Sequence, residues 1–424
     1  GSLGFVVDLL EHPKDLFSIK IEEFYAQSLG ITAPWEVTEV KINEAEKRFR
    51  IRVECREKTI WVDPDTGERS HIHEWRERTW RHLDTCEFET WVTAKVPRVK
   101  LSSGKTQTVV VPWAEQSGRF TKSMENHIIE ILLRTHTVGG AARIAGISRD
   151  QAEGVMNRAV IRGLARREEV ALSQVGIDEK AIRKRHKYGT ILTDLESGRV
   201  VEVVEGRTKQ AAKKLLASLP AQVSQSIEAV AMDMWPAYIS AVDEVLPEAA
   251  IVFDRFHIKK HLNEALDRVR RQENRQLAKE GDDSLKGSKY SWLRKRPDLR
   301  TKAAVEFRKL LAQELKTGRA WTLKELFDRF WQYTSRSWAW RFLNNWIEEV
   351  KNSSLKPMIE AAEMLRKHEA GILNYFSFPI TNAAAEGINS LIQTLRSAAR
   401  GLPNFEKFRD RVLFHLGQLD LKLT

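Results

Sequence analysis

Residues 229–238 read AVAMDMWPAY, an apolar run that ends in an acid and a tryptophan. A carboxylate at the mouth of a hydrophobic strand is costly unless something satisfies it. A backbone turn, a cationic side chain or a metal ion would each do so for Asp233, and the surrounding segments narrow the choice. Upstream, SQVGIDEKAI (173–182) reads as an apolar strand reaching Asp178, YGTILTDL (188–195) as a second and GRVVEVVEG (198–206) as a third. Glu196-Ser197-Gly198 supplies the turn between the last two. A helix follows over 208–220, then the strand containing Asp233, then a helix opened by Pro236, then the strand AAIVFDRFH (249–257). Three antiparallel strands, helix, strand, helix, strand is an α/β order with a mixed sheet.

In such a sheet the strands of Asp178 and Asp233 would lie side by side, with both carboxylates at one edge. Like charges that close raise each other's pKa unless a cation sits between them. A hard divalent cation with oxygen ligands resolves this, and Mg²⁺ takes few carboxylates plus phosphate oxygens and water. A third acid is then expected on a nearby helix. Glu386 in NAAAEGIN (382–389) is the candidate, because its small neighbours let that helix lie tight against a sheet. The plainer alternatives stay open here: acids at strand ends often cap turns, and Glu386 would also suit a surface.

The rest of the chain frames this segment. At 424 residues it is too long for one ordinary core, which predicts two to four domains. Its 42% hydrophobic and 30% charged residues are those of a globular protein. No run approaches the roughly 18 apolar residues of a membrane span, and the opening GSLGFVV shows neither a basic leader nor a cleavage site. Cys55 and Cys86, the two cysteines, form neither a disulfide framework nor a CxxC pair. A reducing cytoplasmic setting, near the nucleoid, is the expectation, with no membrane partner. The formal charge, 69 − 58 = +11, suits a polyanion. Residues 255–300 hold fourteen Lys/Arg against seven Asp/Glu, which is either a solvated helical face or a phosphate-facing surface.

Residues 1–120 alternate in short runs such as RFRIRVEC (48–55) and ETWVTAKV (89–96), which predicts a β-rich module. Over 121–170 a helix with an apolar stripe at Ile128, Ile129, Ile131, Leu132 and Leu133 is followed by two more, joined by a turn at Gly146 with Ser148 as N-cap. Helix, tight turn and capped helix is the helix-turn-helix pattern; a plain helical hairpin is the alternative. On the second helix Arg149, Gln151, Asn157 and Arg158 are base- and phosphate-reading types. The stretch 258–370 reads as helical, with tryptophans at 292, 321, 331, 338, 340 and 346 that suit packed core better than a stacking surface.

Taken in order, RTWRHLDTCEFETWVTAKVPRV (78–99), VPWAE (111–115), GRFT (118–121), MDMWPAY, VFDRFHI (252–258) and TNAAAEGIN (381–389) resemble bacterial insertion-sequence transposases of the "ISL-three" group. The resemblance covers nearly the whole chain. It implies an α+β multidomain protein: a β-rich, degenerate zinc-ribbon-like module (1–120), a helix-turn-helix (121–170), and an RNase H-like core in two parts (171–257 and 371–424). An all-helical insertion (258–370) separates those parts. It further implies a DDE triad of Asp178, Asp233 and Glu386 holding two Mg²⁺ ions roughly 4 Å apart, with Mn²⁺ as a substitute. In the D-x-x-H motif formed by Asp254 and His257, the histidine is expected beside the scissile phosphate or a flanking nucleotide. Hydrolysis at the transposon end and strand transfer into target DNA would follow, without a covalent enzyme intermediate. The expected partners are double-stranded DNA, as terminal inverted repeats and target, and a second copy of the chain. Arg183, Lys184, Arg185 and Lys187, with Arg255, Lys259, Lys260 and Arg270, are expected to hold phosphates. Two rival functions remain: a transposase-derived DNA-binding protein without catalysis, and an RNase H-like nuclease without strand transfer.

One departure stands out. Where the family carries a cysteine knuckle, this chain reads WVDPDTG (61–67) and PRVKLSSG (97–104), with Asp63, Thr66 and Leu101 at ligand positions. Thr66 and Leu101 are not useful zinc ligands, so the module is expected to keep its fold without zinc. His71, His73 and Cys86 are the substitute set.

Overall fold

The computed structural model describes residues 19–63, 65–183, 187–293, 302–380, 383–398 and 404–424. The side chains of 183, 187, 302–306 and 383–386 are outside that set. The chain divides into two compact units, residues 1–159 with 421–424, and residues 160–420.

The first unit is built on strand alternation. After α1 (Ile21–Ser28), the strands β1 (Trp35–Asn43), β2 (Arg48–Cys55), β3 (Trp61–Val62), β4 (Arg69–Arg81), β5 (Glu89–Lys100) and β6 (Thr106–Thr108) make one sheet. Its order is β1-β2-β5-β4-β3, with β6 on β5. Phe49, Ile51 and Val53 of β2 point inward while Arg48, Arg50 and Arg52 face out; the same period-two rule buries Val92, Ala94 and Val96 on β5. Beneath them Trp113 meets Trp35 and Trp80 edge to face, with centroids 5.3 and 5.5 Å apart.

Three helices complete the unit: α2 (Lys122–Thr135), α3 (Val138–Ile144) and α4 (Arg149–Ala165), the last crossing into the second unit. Thr121 caps α2 by accepting from the Met124 N–H, and Thr137 caps α3 by accepting from Gly140. Gly146, at φ +63°, makes the left-handed bend between α3 and α4.

The second unit holds a five-stranded sheet, β7 (Gln174–Arg183), β8 (Lys187–Asp194), β9 (Arg199–Glu205), β10 (Ala229–Met232) and β11 (Ala250–Phe253), ordered β11-β10-β7-β8-β9. β7, β8 and β9 run antiparallel, turning at Gly198 (φ +69°) where Asp194 accepts from the Glu196 N–H. β10 and β11 are parallel to β7. The four residues of β10 are all buried, as an uninterrupted apolar run in a parallel strand requires. α5 (Lys209–Ala217) and α6 (Ala221–Gln225) connect β9 to β10, and α7 (Pro236–Val245) connects β10 to β11.

From β11 the chain is helical: α8 (Arg255–Lys279), α9 (Lys289–Leu293), α10 (Lys302–Leu311), α11 (Lys316–Phe327), α12 (Arg336–Asn352), α13 (Lys356–Lys367) and α14 (Glu369–Leu373). Trp292, Trp321 and Trp346 lie in its core, as expected of a tryptophan-rich helical block. Trp338 and Trp340 are exposed, which departs from that reading. Finally α15 (Ala383–Ala398) and α16 (Phe405–Leu416) return to the sheet. Arg409 of α16 forks onto Glu202 of β9 through two 2.7 Å hydrogen bonds. No described helix is long and apolar enough to cross a membrane.

Candidate active site

Parallel pairing brings the acids together. β10 pairs β7 with Ala231 beside Gly176, so Asp233 and Asp178 stand two residues further along their strands, at one level. The sequence suggested that the β7 strand ends at Asp178. Instead β7 continues to Arg183 against β8, and it is the pairing with β10 that stops at Gly176. Asp178 is therefore a mid-strand acid facing the space that β10 vacates. On the other side, Met232 pairs with Phe253, which sets Asp254 beside Asp233 at the end of β11.

The three acids line one cavity of about 560 Å³ together with Glu179, Lys180, Trp235, Phe256, His257, Lys260 and Asn389. Asp178 accepts from the Glu179 N–H at 2.7 Å and from Asn389 Nδ2 at 2.7 Å, and Lys180 Nζ stands 3.5 Å away. Asp233 accepts from the Met234 N–H at 2.6 Å. His257 sits between two carboxylates, Nδ1 at 3.3 Å from Asp233 and Nε2 at 3.6 Å from Asp254. The Asp233 contact is close but out of hydrogen-bond alignment, so it acts as charge attraction rather than a made bond. Burial pushes the His257 imidazole down, but Asp233, Asp254 and Asp178 outweigh it and hold the pKa above its ordinary value. Burial likewise pushes Asp233 up, while His257, the Met234 N–H and His261 outweigh it and hold the acid below its ordinary value. Asp254 caps α8 by accepting from the Phe256 N–H at 2.8 Å.

Glu386 lies on α15 one turn before Asn389, the residue that touches Asp178. Its side chain is outside the described residues. Among the described residues no three histidines, cysteines or acids are arranged to hold a metal ion. The donor set of two register-matched carboxylates nonetheless fits a hard divalent cation in chemistry, since both are oxygen ligands opening on one cavity. Sequence reasoning missed Asn389 and Lys180. The spacing Glu386-x-x-Asn389 on a helix was the available signal for the first.

The residues expected to meet DNA fall into three groups. Arg149 and Asn157 are exposed on α4. Gln151 instead closes a capping box: its Oε1 accepts from the Ser148 N–H at 2.8 Å, and Ser148 Oγ accepts from the Gln151 N–H at 3.2 Å. Arg158 turns inward, donating to Glu125 of α2 at 2.6 Å with Glu115 at 3.8 Å. Near the cavity, Lys260 and Arg255 are exposed, Arg255 over the Trp331 ring at 5.6 Å. Lys259 pairs with Asp328 at 3.2 Å and Arg270 is largely buried on Asp267 at 2.8 Å. Lys184 and Arg185, and the side chains of Arg183 and Lys187, lie outside the described residues.

At the expected metal knuckle, the residues present do not fit zinc. Asp63 is buried and spends its carboxylate on backbone, accepting from Asp65 N–H at 3.0 Å and Ser102 N–H at 2.8 Å. Thr66 Oγ1 meets Ser102 Oγ at 3.0 Å, and Ser102 Oγ donates to Glu68 at 2.9 Å. His71, His73 and Cys86 are exposed, and no metal-binding group forms among the described residues.

The model of the ISL3 DDE family, described as transposase, matches residues 175–412, and that of the zinc-finger of transposase IS204/IS1001/IS1096/IS1165 matches residues 61–100. The transposase for insertion sequence element IS1001 of Bordetella parapertussis is 28% identical over 344 residues, covering 80% of this chain and 84% of that protein. The transposase for insertion sequence element IS1557 of Mycobacterium tuberculosis is 23% identical over 371 residues, covering 82% and 81%. The first family match takes in both candidate strand acids, His257, Glu386 and Asn389, and more than half of the chain. This chain belongs to the ISL3 family of DDE transposases.

Proposed function

We propose that this transposase binds the terminal inverted repeats of an insertion sequence, cuts the phosphodiester at the element's end and joins the freed 3′-OH to target DNA. The observation that carries it is the register match of Asp178 and Asp233 on adjoining parallel strands, with the helix of Glu386 bonded to Asp178 through Asn389. In this reading the five-stranded sheet with α15 and α16 is an RNase H-like core. Asp178, Asp233 and Glu386 hold divalent cations, Mg²⁺ by preference. Such ions, when bound, activate the attacking oxygen and neutralise charge on the phosphate.

The chain's own residues divide the remaining work. Asn389 and Lys180 hold the Asp178 carboxylate in one orientation. His257, whose pKa Asp233, Asp254 and Asp178 raise, stands 3.3 Å from Asp233 and steadies it beside the incoming phosphate. Lys260, exposed at the lip, takes a flanking phosphate. In the first unit α3 and α4 serve as a helix-turn-helix. Its reading face is Arg149 and Asn157; Gln151 sets the start of the recognition helix and Arg158 anchors it. Two copies are needed to hold two element ends.

Incubation with a labelled duplex carrying the element's end, Mg²⁺ and a target plasmid tests this. Joined product supports transposition, cleavage without joining indicates a nuclease, and binding without either indicates a DNA-binding derivative.

A further inference from the structure

The two parallel strands that open on the site end in the same three-residue pattern. β10 runs into Asp233-Met234-Trp235 and β11 into Asp254-Arg255-Phe256. Because Met232 pairs with Phe253, the patterns stand at one level: an acid at the strand end, then two residues later an aromatic at the start of a helix. Trp235 is the N-cap of α7 and Phe256 the second residue of α8.

Aromatic rings of this size are usually buried. Here Trp235 is 43% exposed and Phe256 57%. Both line the cavity that holds Asp178 and Asp233, and Phe256 with Lys260 also lines an adjoining hollow of about 390 Å³ along α8. Phe256 meets His257 in a T-shaped pair with centroids 5.6 Å apart. The Arg207 guanidinium lies 4.1 Å over Tyr188 and 5.9 Å from the Trp235 ring, with Glu179 3.6 Å from the guanidinium.

We propose that Trp235 and Phe256 are stacking positions for unpaired bases on either side of the phosphate to be cut. The site then takes its strand locally melted, not as intact duplex. This rests on the reading of Asp178 and Asp233 as the DNA-cleaving acids. A base drawn out of the stack loses its neighbours, which costs free energy in duplex DNA. An exposed aromatic face returns part of that cost for any base, because every base has a π-face. Asp233 and Asp254 precede the two aromatics on the ends of β10 and β11, and Asp178 stands level with Asp233 on the adjoining β7, so the groups that handle the phosphate and those that hold its bases belong to one sheet.

The test compares wild type with Trp235→Ala, Phe256→Ala and Phe256→Trp on two end-bearing duplexes, one fully paired and one with two mismatched pairs flanking the cut. Circular dichroism and Tm confirm that each variant is folded. Each alanine variant is expected to slow single-turnover cleavage of the paired end about five- to hundredfold. The loss should shrink below about threefold on the mismatched end, where unpairing is already done. Phe256→Trp, which keeps an aromatic face, should cleave both ends near the wild-type rate. Equal losses on both duplexes, or no loss on either, would overturn the stacking role while leaving the catalytic reading intact. A wild-type protein that binds both duplexes and cuts neither would overturn the catalytic reading and this proposal with it.

Discussion

Arg158 is the residue whose two readings differ most in consequence. Its type and its place on α4 suit a base contact, whereas the structure puts its guanidinium against Glu125, whose side chain is 1% exposed. Replacing Arg158 with Ala takes the cation at 2.6 Å away from a carboxylate that reaches almost no water. Removing one member of a fully buried pair costs about 3–5 kcal/mol. Arg158 is itself only two-thirds buried, so water entering the vacated space relieves part of this, and we expect about 2–4 kcal/mol. For a unit of this size each kcal/mol moves Tm by about 2–4 °C, which places the expected drop at roughly 4–16 °C. Thermal unfolding followed by circular dichroism at neutral pH measures it. The same variant, held well below its Tm, should keep the wild-type ratio of affinities for terminal-repeat and random DNA. An unchanged Tm together with a lost preference for the repeat would refute the anchoring role and restore Arg158 to the reading face.

Three further outcomes follow from the geometry. Arg149→Ala, at an exposed position on α4, should lower the preference for repeat over random DNA by about 1–3 kcal/mol in a competition titration, whereas Lys260→Ala should weaken both alike and flatten the salt dependence; reversed effects would exchange their roles. Burial, helped by the Arg81 charge and opposed by Asp84, pushes His82 down to about 4. The unfolded chain binds a proton there near pH 6.5 and the native one does not, so stability present above that pH falls by up to about 3 kcal/mol as pH drops toward 4. Urea unfolding from pH 7.5 to 4 should show that fall, and His82→Gln should lose it; an unchanged slope would mean that other groups cause it. The protein should contain no stoichiometric zinc and keep its Tm in EDTA, since Asp63 already clasps the Ser102 N–H; about one zinc per chain by elemental analysis would contradict this.

What was legible in the sequence follows from periodicity. Strands such as β2 and β5 declare themselves by alternation, and β10 by an unbroken apolar run. A mixed sheet with the strands of Asp178 and Asp233 as neighbours was legible, because short apolar strands separated by helices favour parallel pairing. Residue type said less about direction. Gln151 looks like a base reader until its place three residues after Ser148 is weighed, which is the spacing of a capping box. Arg158 looks solvent-facing, although Glu125, an acid inside the apolar stripe of α2, signalled that a buried cation had to come from elsewhere. Exposure of Trp338 and Trp340 was not legible, because a tryptophan-rich helix has the same composition whether its rings face in or out. That Asp178 and Asp233 would share one edge of neighbouring strands was legible from the strand order, and the register of Ala231 with Gly176 sets them level.

Single-turnover cleavage of a labelled element end in Mg²⁺ by Asp178→Asn, Asp233→Asn and Glu386→Gln, with end binding measured on the same preparations, tests the central claim most directly. Each change removes one negative oxygen while nearly preserving shape, so each variant should bind the end as wild type does and cut it at least about a thousandfold more slowly, a barrier rise of about 4 kcal/mol. Near wild-type cleavage by any one of the three would contradict the account, because that residue would then hold no catalytic ion.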